Sequence, residues 1–247
     1  MADLIENLIQ KEVVEKLDNT MRIKRVEAWA DNVQRVQFCN IKWLRLYSEF
    51  LEGQLVVGYD EDNWVVIQTE TPLEQGQELS IKRPLFFHGT PLNTIEEWHN
   101  FANDENTKLP FIWLKSPSRI TNKGYKSPFK YDADVKLYFV HYSDWLKKNN
   151  DRVNNTIQPL NALKDALMDR IDKASPYFMK LENRGTSKDF PKFGKESAKG
   201  IEKTYFNSTL AGVMLDLQLK IKKDLCKCAP PITTINIFDE TFDNNFE

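Results

Sequence analysis

The sequence predicts an α+β protein in which an antiparallel sheet is packed by a long helix, with an additional β-rich N-terminal segment and extended arms. Three patterns predict this class. Apolar residues recur at helical spacing from Val153 to Ile171, apolar and polar residues alternate over 213–222, and two β-branched runs at 55–57 and 64–67 flank an acidic turn. The 247-residue chain, with 41% hydrophobic and 12% aromatic residues, can bury a large core, which excludes a disordered or fibrous protein.

The first segment, 1–20, is predicted to be an amphipathic helix of about four turns. Its apolar residues lie at helical spacing, with acidic and basic residues between them: Leu4, Ile5, Leu8, Ile9, Val13 and Leu17. An isolated helix of this length is marginal in water, so it needs a partner surface. That surface belongs either to its own domain or to a neighbouring chain.

The second segment, 21–90, is predicted to be β-rich. Residues 21–50 fit two alternatives, a helix that ends at Gly53 or strands around Val36 and Trp43. Strand, turn and strand follow over 55–67, and the run 79–87 is consistent with another hairpin.

The third segment, 91–236, is predicted to be the α+β core. Thr94 with Glu97 forms a capping box that starts a helix ending near Asn103. Strands at 109–114 and 134–142 are expected to form a hairpin, and a long helix follows at 154–173, with Pro159 tolerated in its first turn. Residues 184–203 are expected to be an extended loop or arm, residues 213–222 a long half-buried strand, and residues 237–247 an acidic C-terminal tail.

The sequence contains no recognisable catalytic, cofactor or metal motif. Its 9 glycines form no phosphate-binding pattern, and it lacks a Gly-x-Ser-x-Gly elbow. Its 3 cysteines are an odd number, which indicates free thiols in a reducing compartment. No secretory signal or membrane span is expected. We therefore predict a protein that is not an enzyme, with no cofactor and no metal.

The connecting stretch 115–130 is the sharpest charge feature, because it carries five cations and no carboxylate. Unopposed cations with interleaved aromatic residues suit contact with DNA or with an acidic subunit surface, and a solvated loop is the alternative. The predicted contact residues are Lys115, Arg119, Lys123, Tyr125, Lys126 and Lys130.

The C-terminal tail carries phenylalanine at every fourth position, at Phe238, Phe242 and Phe246, among four acidic residues. It is a candidate subunit-contacting segment, and a frayed terminus is the alternative.

The order of motifs resembles that of a known family. The motifs are Phe86-Phe87-His88-Gly89-Thr90-Pro91, then Leu109-Pro110-Phe111-Ile112-Trp113-Leu114, then a strand and Trp145, and then Asp151-Arg152 leading into the Pro159-Leu160 helix. This order is similar to that of small virion proteins of tailed bacteriophages, of the tail-completion or head-to-tail connector type, particularly those of crAss-like phages. The resemblance covers about a third of the chain.

The resemblance implies an antiparallel sheet with one long helix across it, assembled as a homo-oligomeric ring of six or twelve copies around a DNA channel. The expected partners are neighbouring portal, connector or tail proteins and genomic DNA, in a virion assembled in the host cytoplasm. No catalytic residue carries over. Two other readings remain: a nucleic-acid-binding accessory protein that uses the 115–130 loop, and an enzyme with a scattered site.

Overall fold

The structure is a computed structural model, which describes residues 2–39, 42–59, 64–101, 108–122, 129–144, 146, 149–174, 179–181, 185–198, 201–206 and 209–222. It confirms the predicted α+β class. Antiparallel sheets are packed by a long helix, and a first sheet from the N-terminal third precedes a second sheet that contains most of the C-terminal strands.

The first sheet is fully antiparallel and has the strand order β3-β4-β2-β1-β5. Its strands are β1 (Thr20–Ala30), β2 (Val33–Phe38), β3 (Leu55–Tyr59), β4 (Trp64–Gln68) and β5 (Glu78–Ser80). The two alternatives for 21–50 are thereby decided in favour of strands around Val36, because β2 pairs with both β1 and β4. The alternative strand at Trp43 is wrong, since Trp43–Leu46 forms a short 3₁₀ helix.

The second sheet has the strand order β10-β13-β8-β7-β6. The short strand β9 also pairs with β13. Its strands are β6 (Leu85–Gly89), β7 (Phe111–Asn122), β8 (Phe129–Tyr142), β9 (Met179–Leu181), β10 (Thr186–Phe193) and β13 (Leu210–Lys222). The predicted hairpin is confirmed as β7–β8, and all pairs are antiparallel except β6 with β7. The two remaining strands, β11 (Lys195–Ala198) and β12 (Ile201–Thr204), form a separate hairpin.

Helices cover both faces of the second sheet. They are α1 (Ala2–Leu8, continued by a π-helical turn Ile9–Val14), α2 (Pro91–Asn100), α3 (Asn149–Arg152) and α4 (Gln158–Lys173, preceded by a π-helical turn Val153–Ile157). The α4 face at Leu160, Leu163, Leu167 and Ile171 is fully buried, as its periodicity predicts. Pro159 is near the start of α4, directly after the π-helical turn Val153–Ile157, so helical backbone continues on both sides of it.

One core cluster joins α1, α4, the first sheet and one face of the second sheet. Ile5, Ile9, Val13 and Leu17 are buried in it, so the N-terminal helix docks on its own chain. A second, aromatic cluster lies on the opposite face of the second sheet, under α2. Trp98 of α2 is fully buried in it, and its ring centroid lies 5.3 Å from that of Phe111 and 5.6 Å from that of Phe206.

Three further sequence predictions about individual elements are wrong. Helix α2 begins at Pro91 and not at Thr94, because Thr90 is the N-cap and its side chain accepts from the Asn93 N–H. The expected hairpin over 79–87 does not form, since β5 pairs with β1 in the first sheet and β6 with β7 in the second. Within 184–203, the first half is not an arm, because Thr186–Phe193 pairs along β13.

Candidate functional site

The predicted basic loop 115–130 is mostly strand where the structure describes it. Lys115 and Arg119 lie in β7, and Lys130 lies at the start of β8, so the interpretation of these positions as loop is wrong. Lys123, Tyr125 and Lys126 lie outside the described residues. The predicted contact residues that the structure describes therefore belong to one β-hairpin.

Cross-strand pairing brings carboxylates next to this hairpin's cations. Arg119 lies opposite Asp134 in the β7–β8 register. Lys136 of β8 lies opposite Lys115. Its Nζ is 3.0 Å from Oδ2 of Asp216 on β13, and the hydrogen bond to Asp216 raises the pKa of Lys136. The stretch 115–130 has no carboxylate of its own, but the fold places some beside its base.

The predicted subunit-contacting residues of the tail, Phe238, Phe242 and Phe246, also lie outside the described residues. Their role stays a prediction.

An aromatic groove of about 510 Å³ opens on the α2 face of the second sheet. We use the name aromatic groove for the space between α2, β7, β10 and the segment Tyr205–Phe206. Its described lining residues are Pro91, Leu92, Thr94, Ile95, Trp113, Phe190, Lys192, Phe193, Gly194, Lys195, Tyr205 and Phe206.

The groove's walls are formed by rings in mutual contact. The Trp113 and Phe193 ring centroids are 6.5 Å apart, and Phe193 lies 5.8 Å from Phe206. The Trp113 ring is held on one side by stacking on Tyr138 at 4.8 Å and by an indole N–H bond to the Gly89 carbonyl at 3.3 Å. Fixed rings of this kind provide a rigid apolar surface.

Two glycines allow the rings to approach the backbone this closely. A Cβ at Gly194, whose φ is +72°, would lie 2.5 Å from Phe206 Cδ2, and a Cβ at Gly212 would lie 2.8 Å from Phe193 Cδ2. Gly194 also adopts the left-handed region that disfavours other residues. The groove's shape therefore depends on both glycine positions.

Among the described lining residues, Thr94 carries a buried polar group without a partner. Thr94 is 1% exposed, and its Oγ1 has no hydrogen-bond partner among the described residues. A buried hydroxyl without a partner costs free energy, and it can both donate to and accept from a ligand. The charged residues among the described lining residues are Lys192 and Lys195, so the groove combines an apolar interior with a positive rim.

A second cavity, of about 580 Å³, lies where the loops after the 3₁₀ helix meet the end of β8. It is lined by Tyr47, Tyr59 and His141, among others. Burial raises the pKa of both tyrosine hydroxyls, and the Tyr59 hydroxyl donates to the Tyr47 carbonyl at 2.7 Å. Burial also lowers the pKa of His141 to about 4, and its Nδ1 has no partner among the described residues.

The described part of the chain shows no grouping of three or more His, Cys, Asp or Glu side chains that could hold a metal ion. In the same residues, no helix is both long and apolar enough to cross a bilayer. Cys39 is a free, exposed thiol.

Sequence reasoning missed the aromatic groove, although a signal was present. The stretch 190–206, most of which the sequence predicts to be a loop or arm, contains four aromatic residues: Phe190, Phe193, Tyr205 and Phe206. So many aromatic residues are unusual in a solvated loop. Trp113 of β7 and Thr94 of α2 come from distant segments and join them only in the folded chain.

No family model and no curated protein matches this chain.

Proposed function

We propose that this chain is a non-catalytic structural protein of a tailed-bacteriophage particle, which assembles as a ring at the head-tail junction or the tail end. The observation that carries the proposal is the β7–β8 hairpin. It belongs to an antiparallel sheet crossed by one long helix, the arrangement that the family resemblance implies, and it extends past its neighbour β6, whose pairing with β7 ends at Lys115.

The second sheet offers two different edges for association between copies. Among the described residues, no strand pairs with the outer side of β7 beyond Lys115 or with the outer side of β10. Contact between two unlike surfaces is heterologous, and it generates a closed ring when the rotation between copies closes. Edge pairing of this kind would use backbone hydrogen bonds, with side chains selecting the partner.

Proline restricts how these edges can pair. Pro117 in β7 and Pro191 in β10 lack a backbone donor, and the register of each strand shifts around its proline. Such interruptions oppose indiscriminate edge-to-edge aggregation. A ring contact would therefore involve short pairing segments rather than a continuous ladder.

The hairpin would face either genomic DNA in the ring's channel or a neighbouring portal, connector or tail protein. Carboxylates lie beside its base at Asp134 and Asp216, whereas Lys123 and Lys126 belong to the connection between its strands. We expect the polyanion or subunit contact to depend on these two lysines.

The first test is the solution mass of the full chain over a concentration series, with negative-stain images of any large species. We expect a closed ring of six or twelve copies. A chain that stays monomeric at every concentration, and also in the presence of its head and tail partners, would overturn the proposal.

A charge-reversal pair then tests the hairpin. The double variant Lys123→Glu and Lys126→Glu should weaken ring assembly or DNA retention, while Lys24→Glu with Arg25→Glu, an equal charge change at exposed positions of β1, should leave both intact. If the two variants have equal effects, neither ring assembly nor DNA retention depends specifically on the hairpin lysines.

The alternative function is nucleic-acid binding by the same hairpin without a ring. It predicts binding to single strands that weakens steeply as the salt concentration rises. Loss of two lysine-phosphate contacts should reduce the slope of log binding constant against log salt concentration by about 1.4. A salt slope that does not change in the Lys123→Glu and Lys126→Glu variant would reject this alternative.

A further inference from the structure

The aromatic groove presents an apolar surface that the described residues leave open at its rim. Leu92 is 65% exposed and Tyr205 is 38% exposed, although both flank buried rings. Exposed large apolar residues beside a concave apolar surface are typical of a binding site rather than of a solvated face.

Polar features of the groove define the chemistry of its occupant. The Thr94 hydroxyl is buried without a partner among the described residues, so an occupant with a hydrogen-bonding group would satisfy it inside an otherwise apolar space. Lys192 and Lys195 line the groove, and Lys188 lies close by with its Nζ 5.0 Å from the Phe190 ring. An occupant with apolar anchors, a peptide backbone and carboxylates fits all three features.

The chain contains one terminal segment with this chemistry. Residues 237–247 carry Phe238, Phe242 and Phe246 together with Asp239, Glu240, Asp243 and Glu247, and no basic residue. Anchors four residues apart are the spacing used by ligands that lay one helical face into an apolar groove. The carboxylates between them match the lysines at the rim.

Chain length permits this contact. Phe193 of the groove pairs with Leu210 at the start of β13, so the last described residue, Lys222, lies about 40 Å away along the strand. The 14 residues of 223–236 span up to about 48 Å when extended. The tail can therefore reach the groove of its own copy, or that of a neighbour.

We propose that the aromatic groove is the docking site of the acidic C-terminal segment 237–247. The phenylalanines occupy the space between α2 and the rings of β10, a main-chain group of the tail satisfies Thr94, and the tail carboxylates lie near the groove's lysines. This inference does not depend on the ring, since a tail docked within one copy satisfies the same contacts.

The test uses the full-length chain with a photo-crosslinking phenylalanine analogue in place of Phe242. We expect crosslinks to peptides from α2 and from the segment 186–206. The variant Leu92→Asp should lower the crosslink yield about tenfold, because it removes an apolar contact that the docked tail would cover and adds a charge that repels the tail carboxylates. Leu51→Asp is the matched control, since Leu51 is 62% exposed and lies outside the groove.

Crosslinks to any other surface, or a Leu92→Asp yield equal to that of the control, would overturn the inference. Both variants should keep the wild-type circular dichroism spectrum, since both leucines are exposed. An equal mixture of light and heavy isotope-labelled chains separates docking within a copy from docking between copies, and either one supports the site. A chain that stays monomeric and crosslinks to its own tail would support tail docking in the groove and contradict ring assembly. The two proposals can therefore fail separately.

Discussion

The pH dependence of stability offers a direct test of the second cavity, through His141. This residue lies in β8 opposite Ala211, and burial lowers the pKa of its imidazole to about 4. In the unfolded chain the pKa returns to about 6.5. Because the native state holds the ring neutral, the unfolded state binds the proton more readily, and acid favours unfolding.

The magnitude follows from these two pKa values. Their difference corresponds to about 3 kcal/mol, which is fully present above pH 6.5 and lost as the pH falls towards 4. By pH 5 the loss from this group amounts to about 2 kcal/mol. The variant His141→Asn cannot titrate in this range, so it should lack this component.

Urea unfolding at pH 7.5 and pH 5.0 measures the effect. The free energy of unfolding of the wild type should fall by about 2 kcal/mol more than that of His141→Asn over this interval, because carboxylates contribute equally to both. The control His99→Asn removes an exposed histidine of α2 and should retain the wild-type dependence. If wild type and His141→Asn lose the same stability, His141 is not held neutral by burial.

Three further substitutions, one of them with a control, test the packing on the two faces of the second sheet by urea unfolding. Thr90→Ala removes the α2 N-cap and should cost about 1 kcal/mol; an unchanged midpoint would argue against the cap. Gly212→Ala should cost about 1–3 kcal/mol because its Cβ meets the Phe193 ring, whereas Gly58→Ala, with open space around it, should be neutral or slightly stabilising. Leu163→Ala, at a fully buried position of α4, should cost about 2–5 kcal/mol, and a loss below 1 kcal/mol would contradict the buried helix face.

Local patterns predicted the elements whose periodicity is strong. The helix around Leu163 and the alternating strand that became β13 lie where the sequence places them, and β3 pairs with β4 as predicted, with the acidic turn 60–63 outside the described residues. The core-facing residues of the long helix and of β13 were also correct, because a period of 3.6 or 2 states which side chains share a face. Boundaries were less accurate, as the early start of α2 at Pro91 shows.

The candidate site was less predictable than the fold. The cations of 115–130 are evident from the sequence, and their contact role stays a prediction. The positions of Asp134 and Asp216 beside them could not be predicted, since these residues reach the hairpin only through strand register. The aromatic groove was missed because Thr94, Trp113 and Phe206 are far apart in the sequence and meet only where α2 packs on the second sheet. A motif search cannot find a site of this kind.

The amphipathic pattern of each segment was sufficient to specify its secondary structure and its buried face, since both depend on residues within one or two turns of each other. Which strands pair is a different question. β6 pairs in parallel with β7 across the intervening helix α2, and β5 pairs with β1, because burying the faces of both sheets in one core outweighs pairing between sequence neighbours. The groove exists for the same reason: the second sheet has an apolar face on each side, and α2 covers only part of the second one.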